Sequence, residues 1–296
     1  MKFFHASLFL EILKKYNELF PNDPLNVLLS IAYNEGERKA ILFTHRAMIN
    51  ELICDSGAWS VAQGNSDLTL QAVIAFLKMF GDRFNYYFNF DTNFTAQGFA
   101  SNLENQIAME KAGLKPVPVI HNFVTDEIEY YIKCGKYDRL ALGSSQSTNF
   151  DDIRYAVDKI KTWGNPDIRI HWFGGSRFDW LVQLPIASCD SSSWAATGKF
   201  GGIRYWNPHE KKLNKTHDIY VGGKIKNVKD GEYHFISYPW RRELEDYLHD
   251  TFRFTYLDLL VHGVGYYNMM VVNTRFYAEM EKRINEERIK RGVPLE

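Results

Sequence analysis

Asp55 in ICDSGAWS and Asp190 in ASCDSSSW are the side chains best placed for chemistry in this sequence. Each ends an apolar run and is followed by small residues that let a ligand approach the backbone. A pair of carboxylates on one rim suits substitution at the anomeric carbon of a sugar, one attacking the carbon and the other handling protons. Asp and Ser also start loops and cap helices, so a purely capping role for both stays open. Each aspartate follows a cysteine. Period-two alternation turns Cys54 and Cys189 to the face opposite Asp55 and Asp190, which makes the cysteines packing residues. His121 and His171 sit inside apolar runs and read as buried, satisfied histidines, without a second histidine at metal-ligand spacing.

The elements that must carry these residues are short apolar runs separated by helical patterns. The runs are 26–33, 51–55, 85–91, 116–121, 139–143, 168–174 and 184–190. Helical spacing marks 68–80, 99–112, 125–134 and 150–163. Strands alternating with helices imply βαβ units and a parallel sheet. An eighth strand is expected after residue 200, giving an α/β fold, a (β/α)8 TIM barrel, with a doubly wound open sheet as the competitor. The strand ends favour the barrel: Asp55-Ser56-Gly57, Asp91, His121-Asn122, Gly143-Ser144-Ser145, Gly174-Gly175 and Asp190-Ser191. In a barrel such ends converge on one rim, where barrel enzymes place their chemistry.

The N-terminal MKFFHASLFLEILKKYNELF reads as a short strand followed by an amphipathic helix, with Leu8, Leu10, Ile12, Leu13 and Tyr16 on one face. Residues 199–236 read as an inserted antiparallel hairpin region. Residues 239–291 read as two or three helices, the last, roughly 274–291, solvated over most of its surface. The whole chain, 1–296, is taken as one barrel domain, with 199–236 a basic β insertion and 239–296 a helical C-terminal part.

The composition supports a large core: 296 residues, 45% hydrophobic, 15% aromatic and 24% charged. A formal net charge of -1 excludes a strongly basic coat, so any nucleic-acid contact must be local. Lys199, Arg204, Lys211, Lys212, Lys215, Lys224, Lys226 and Lys229 concentrate after Asp190, where Arg241, Arg242 and Arg253 extend them. This cluster fits a phosphate clamp and equally an ordinary solvated face. Trp59, Phe90, Trp172 and Trp194 lie beside strand ends, where they serve either to stack a base or to pack the rim, although alternation turns Phe90 and Trp172 outward. Three cysteines without CxxC spacing, no signal sequence and no apolar run of about 18 residues imply reduced thiols, a cytoplasmic location and no membrane partner.

With those residues in place, the chain resembles the tRNA-guanine transglycosylase superfamily over roughly Leu52 to Ile284. DSGAW is similar to that family's DSGGF signature, and ASCDSSSW resembles the strand that carries its nucleophilic aspartate. YYFNFD, ending in Asp91, matches the strand that recognises the base, and RLALGSS resembles the GGLAVGE strand, although its glycine pattern is altered. LDLLVHGVGYYNMMVVNTRFYAEMEKRI resembles the terminal helices that pack on the family barrel. The tRNA enzymes hold a structural zinc through a CxCxxC cluster and a later histidine. Here FISYPWRRELEDYLHD has no cysteine and Asn273 stands at the histidine position. The resemblance is therefore closest to the 7-deazaguanine DNA transglycosylases of phage and bacteria, with no cofactor and no zinc.

That resemblance implies roles. Asp190 attacks the anomeric carbon of a guanosine nucleotide, and a covalent glycosyl–enzyme intermediate results. Asp55 protonates the departing guanine and deprotonates the incoming free 7-deazaguanine base. Asp91 accepts hydrogen bonds from the base, and Asn122, Gly143, Ser144, Ser56, Gly57 and Gly174 complete the substrate site. Lys199, Arg204, Lys224, Lys226 and Arg241 hold nucleic acid. The partner is DNA, with tRNA as the alternative polymer. A two-carboxylate barrel that hydrolyses a glycoside or N-glycoside, and a catalytically inactive barrel that only binds nucleic acid, are the remaining alternatives. A chain of this size is compatible with an accessory protein that opens the duplex.

Overall fold

Aromatic and branched aliphatic runs form short strands here, and helical segments between them allow neighbouring strands to run the same way. The structure, a computed structural model, describes residues 1–95, 97–143, 149–222, 229 and 231–295. The chain divides into two compact units, one of Met1–Leu10, Leu25–Ser191 and Ile284–Glu296, the other of Glu11–Pro24 and Ser192–Arg283.

The first unit holds β1 (Lys2–Ala6), β2 (Leu25–Ser30), β3 (Ile49–Asp55), β4 (Tyr86–Tyr87), β5 (Val119–Ile120), β6 (Arg139–Leu142), β7 (Arg169–Trp172) and β8 (Ser188–Ser191). They make one eight-stranded sheet in the order β4-β3-β2-β1-β8-β7-β6-β5, and every ladder is parallel. Past its outer strands, Phe88 and Val117 form a further parallel bridge. There the Asn89 N–H donates to the Val117 carbonyl at 3.0 Å, and the Val117 N–H to the Tyr87 carbonyl at 2.8 Å. Crossovers are supplied by helices such as Leu70–Phe80, Phe99–Lys111, Glu127–Cys134 and Phe150–Trp163. The inner face of the strands is packed by Phe4, Ala6, Leu28, Ile53, Phe88, Val117, Val119 and Ala141.

The eighth strand is not found after residue 200. It is β1, which pairs with both β2 and β8. A strand that opens the chain and one that closes it are equivalent in an alternating β/α pattern, and pairing alone distinguishes them. β4 and β5 are far shorter than their apolar runs.

In the second unit, β9 (Gly202–Trp206) and β10 (Thr216–Tyr220) pair antiparallel, as expected for hairpin material. β11 (Glu232–His234) instead runs parallel to β10, so the small sheet is mixed rather than wholly antiparallel. Three helices follow, Arg241–Phe252, Tyr256–Leu260 and Gly265–Arg291. The last is not mainly solvated. Phe276, Tyr277, Met280, Ile284 and Arg288 are buried on one side. Its charges instead pair along the helix, Arg275 with Glu279 at 2.9 Å and Arg291 with Glu287 at 2.8 Å.

From Ile284 on, that helix belongs to the first unit, and Arg288 acts within it. Its guanidinium donates to the carbonyls of Leu181 at 2.7 Å, Ile186 at 2.8 Å and Leu184 at 2.5 Å, fixing the turn that leads into β8. Arg288→Ala would take a donor from each of those carbonyls, leaving Leu184 only the Ile186 N–H, and would open a void beside them. It is expected to lower stability by ~3 kcal/mol or more, read as a drop in the urea unfolding midpoint.

Candidate active site

The carboxyl ends of the strands in the first unit surround a cavity of ≈ 280 Å³. Asp55 at the end of β3, Asp190 on β8 and Asp91, in the irregular segment after β4, all line it. Leu28, Phe88, Val119 and Phe173 form its apolar part.

Asp190 sits on β8 and is 7% exposed. Its Oδ1 accepts the Gly174 backbone N–H at 3.2 Å and lies 3.3 Å from His171 Nε2. Among the described residues nothing donates to Oδ2. Cys189, one residue earlier, is fully buried on the opposite face, as alternation requires.

Asp55 ends β3. The Ser30 hydroxyl and the N–H groups of Ser56 and Gly57 donate to its carboxylate. Desolvation outweighs those donors, and the charge of Asp190 adds to it, so the Asp55 pKa is pushed up to about 6. Gly57 provides its N–H from a left-handed backbone with φ of 83°. A Cβ there would stand 2.9 Å from that of Ala32, so only glycine fits without strain. The Ser56 hydroxyl donates to the Asn89 carbonyl at 2.7 Å, tying the β3 end to the β4 end.

Asp91 accepts from the Asn89 side chain and lies 3.3 Å from His121 Nε2. Burial raises its pKa against the effect of His121 and Asn89. The other ring nitrogen, Nδ1 of His121, is buried without a partner among the described residues. The ring packs against Gly143, where a Cβ would stand 2.5 Å from Nδ1. Gly143→Ala is therefore expected to push His121 off Asp91 and to cost about 1–3 kcal/mol, visible as a lower thermal midpoint.

The expected site residues divide. Asp55, Ser56, Asp91, Gly143, Gly174 and Asp190 line the cavity. Gly57 reaches it only through its N–H to Asp55. Asn122 is not among the lining residues; its Oδ1 accepts the Val124 N–H at 3.1 Å, which closes a local turn. Ser144, Lys224 and Lys226 lie outside the described residues. In the second unit, Arg204 pairs with Asp218 at 2.9 Å and Arg241 with Glu245 at 2.8 Å, while Lys199 is exposed. Asn273 binds β9, accepting the Arg204 N–H at 2.7 Å and donating to the Gly202 carbonyl at 3.1 Å.

Of the aromatics, Trp59 lines the cavity, is 55% exposed, and meets Phe94 edge to face at 5.3 Å. Trp172 turns outward to stack on Trp180, and neither it nor Phe90 lines the cavity. Trp194 is fully buried. Ser30, Phe94 and Phe173 line the cavity but carry no site signal in the sequence: Ser30 ends β2 but lies inside the apolar run 26–33.

Among the described residues no group of three or more His, Cys, Asp or Glu is placed to hold a metal ion. Nor is any helix there long and apolar enough to cross a membrane. No protein-family model matches the chain, and no curated protein does at the level sought.

Proposed function

We propose that this protein is a base-exchange transglycosylase that replaces guanine in DNA with a 7-deazaguanine base. The carrying observation is that Asp55 and Asp190 line one cavity in different electrostatic settings. Asp55, with its pKa raised to about 6, keeps a proton into the weakly acidic range, whereas Asp190 has one oxygen held by the N–H of Gly174 and by His171 and, among the described residues, no donor on the other. Two carboxylates set apart in this way divide acid and nucleophile between them. The bridge between Phe88 and Val117 supports reading the sheet as a closed (β/α)8 barrel, whose carboxyl-end rim is where such sites lie.

In the first step Oδ2 of Asp190 forms a bond to the anomeric carbon of a guanosine nucleotide. The bond from that carbon to the base breaks, its electron pair leaves with guanine, and Asp55 gives guanine a proton. In the second step Asp55 takes the ring N–H proton of the incoming base. That nitrogen attacks the anomeric carbon and releases Asp190 as a carboxylate. Asp91 accepts from the exocyclic amine and ring N–H of the base, a task suited to a buried carboxylate. Trp59 and Phe94 offer ring faces to a base flipped out of the duplex.

DNA is preferred to tRNA as the polymer because FISYPWRRELEDYLHD carries no thiolate, and Asn273 spends its amide on the backbone of β9. The test is incorporation of radiolabelled guanine, and separately of a 7-deazaguanine, into double-stranded DNA, single-stranded DNA and tRNA. Label in DNA is expected. Label confined to tRNA would transfer the same chemistry to RNA. Free base released without any incorporation would mean hydrolysis of an N-glycoside and would overturn exchange.

A further inference from the structure

His171 is fully buried on β7, opposite Ser188 in the β7–β8 register, with Phe88 and Phe173 rings packed against it at 4.8 and 4.7 Å. Its Nδ1 lies 2.9 Å from Ser188 Oγ and its Nε2 lies 3.3 Å from Asp190 Oδ1. Ser188 Oγ lies 3.0 Å from the Tyr86 hydroxyl. The guanidinium of Arg139 rests 4.0 Å from the centroid of the Tyr86 ring. Tyr86, Ser188, His171 and Asp190 thus form one continuous hydrogen-bonded chain through the aromatic interior of the sheet.

The direction of this chain follows from its ends. An ionised Asp190 can only accept, so Nε2 of His171 carries the hydrogen. Burial lowers the His171 pKa and outweighs the pull of Asp190, so the ring is neutral and Nδ1 must accept. Ser188 then gives its one hydroxyl hydrogen to Nδ1, and Tyr86 gives its own to Ser188. Each of these links has a single donor. The charged groups that act on the ring are Asp190, which favours its protonation, and Arg139, which opposes it.

We propose that Tyr86, Ser188 and His171 are a positioning relay that fixes the Asp190 carboxylate, holding Oδ1 so that Oδ2 is the oxygen that bonds to sugar. This rests on the base-exchange reading for its kinetic consequences, but not for its tautomer. Once Oδ2 is bonded to carbon, Oδ1 is the ester carbonyl oxygen, and negative charge returns to it as the second step releases Asp190. The N–H groups of His171 and Gly174 already point at that atom, so the relay stabilises the charge that returns on release, while it serves formation by orienting Oδ2.

The test combines NMR of protein labelled with 15N-histidine and kinetics of His171→Gln, His171→Ala and Ser188→Ala. In wild type, His171 is expected to be a neutral ring with hydrogen on Nε2 at pH 7, and Asp190→Asn should shift its Nε2 resonance. His171→Ala should lower kcat by roughly 100-fold with KM little changed, and should move the acidic limb of the pH profile upward. His171→Gln, which keeps a side-chain N–H donor, should recover part of that loss. Ser188→Ala, a milder change should His171→Ala fail to fold, should lower kcat by roughly tenfold. Hydrogen on Nδ1, a charged ring at pH 7, or equal losses in His171→Ala and His171→Gln with an unmoved pH limb would overturn the relay. Because the resonances are read without substrate, absence of base exchange would defeat the functional reading while leaving the tautomer assignment tested on its own.

Discussion

Asp190→Asn is expected to abolish base exchange, with a loss on the order of 10⁴-fold or more, as removal of a covalent nucleophile does. The substitution is nearly isosteric. Its Oδ1 still accepts from His171 and Gly174, so β8 keeps its place and only the attacking oxygen is replaced by an amide. DNA affinity and the thermal midpoint should therefore change little. Wild-type and variant proteins compared for label incorporation and for DNA binding by fluorescence anisotropy check both halves. Exchange that persists in Asp190→Asn would remove Asp190 from the chemistry.

Asp55→Asn should act in opposite directions on activity and stability. A pKa of about 6 against an ordinary 3.8 means that the folded protein holds this proton more tightly than the unfolded chain does. The stabilisation is complete below about pH 4 and disappears as pH rises through about 6, above which a charged, poorly solvated Asp55 destabilises the fold. Replacing it by a neutral amide should raise stability by roughly 2–3 kcal/mol at pH 8, with the gain fading toward pH 4. Thermal unfolding of both proteins at pH 4.5, 6 and 8 reads this difference. For wild type, the rate of base release should fall about tenfold per pH unit above pH 6, as protonated Asp55 is depleted. Asp55→Asn should be slow and flat across the range. A wild-type profile level from pH 6 to 9, or a variant less stable at pH 8, would contradict the role of Asp55 as the acid.

Much of this site is legible in the residue order because strands impose a period of two. In ELICD and ASCDS, alternation alone separates Cys54 from Asp55 and Cys189 from Asp190, and places Ser188 beside Asp190. The same rule, applied to IRIHWFG, puts His171 on the inner face with Phe173 and turns Trp172 outward. The partnership between His171 and Asp190 is not readable there, since it depends on which strands are neighbours. Alternation also fails at the β4 end. The ladder stops at Tyr87, and Phe88, Asn89 and Asp91 all reach the cavity because the chain beyond it is no longer pleated. Asn122 reads as a strand-end polar residue like the others, yet its side chain is taken by the turn to Val124, a local contact that spacing does not distinguish from a ligand contact. The basic run after Asp190 looks uniform in sequence, whereas Arg204 and Arg241 each have an acidic partner within their own unit.

The measurement that bears most directly on the account is trapping of the covalent intermediate. Wild-type protein would be mixed with a guanine-containing DNA oligonucleotide in the absence of free base, denatured, and digested for mass spectrometry. The account predicts a protein–DNA adduct joined through Asp190 at a nucleotide that has lost its guanine. That adduct should be absent from Asp190→Asn and discharged when a 7-deazaguanine is added before denaturation. Incorporation of label into DNA by a wild-type protein that forms no such adduct, or an adduct joined through Asp55, would contradict it.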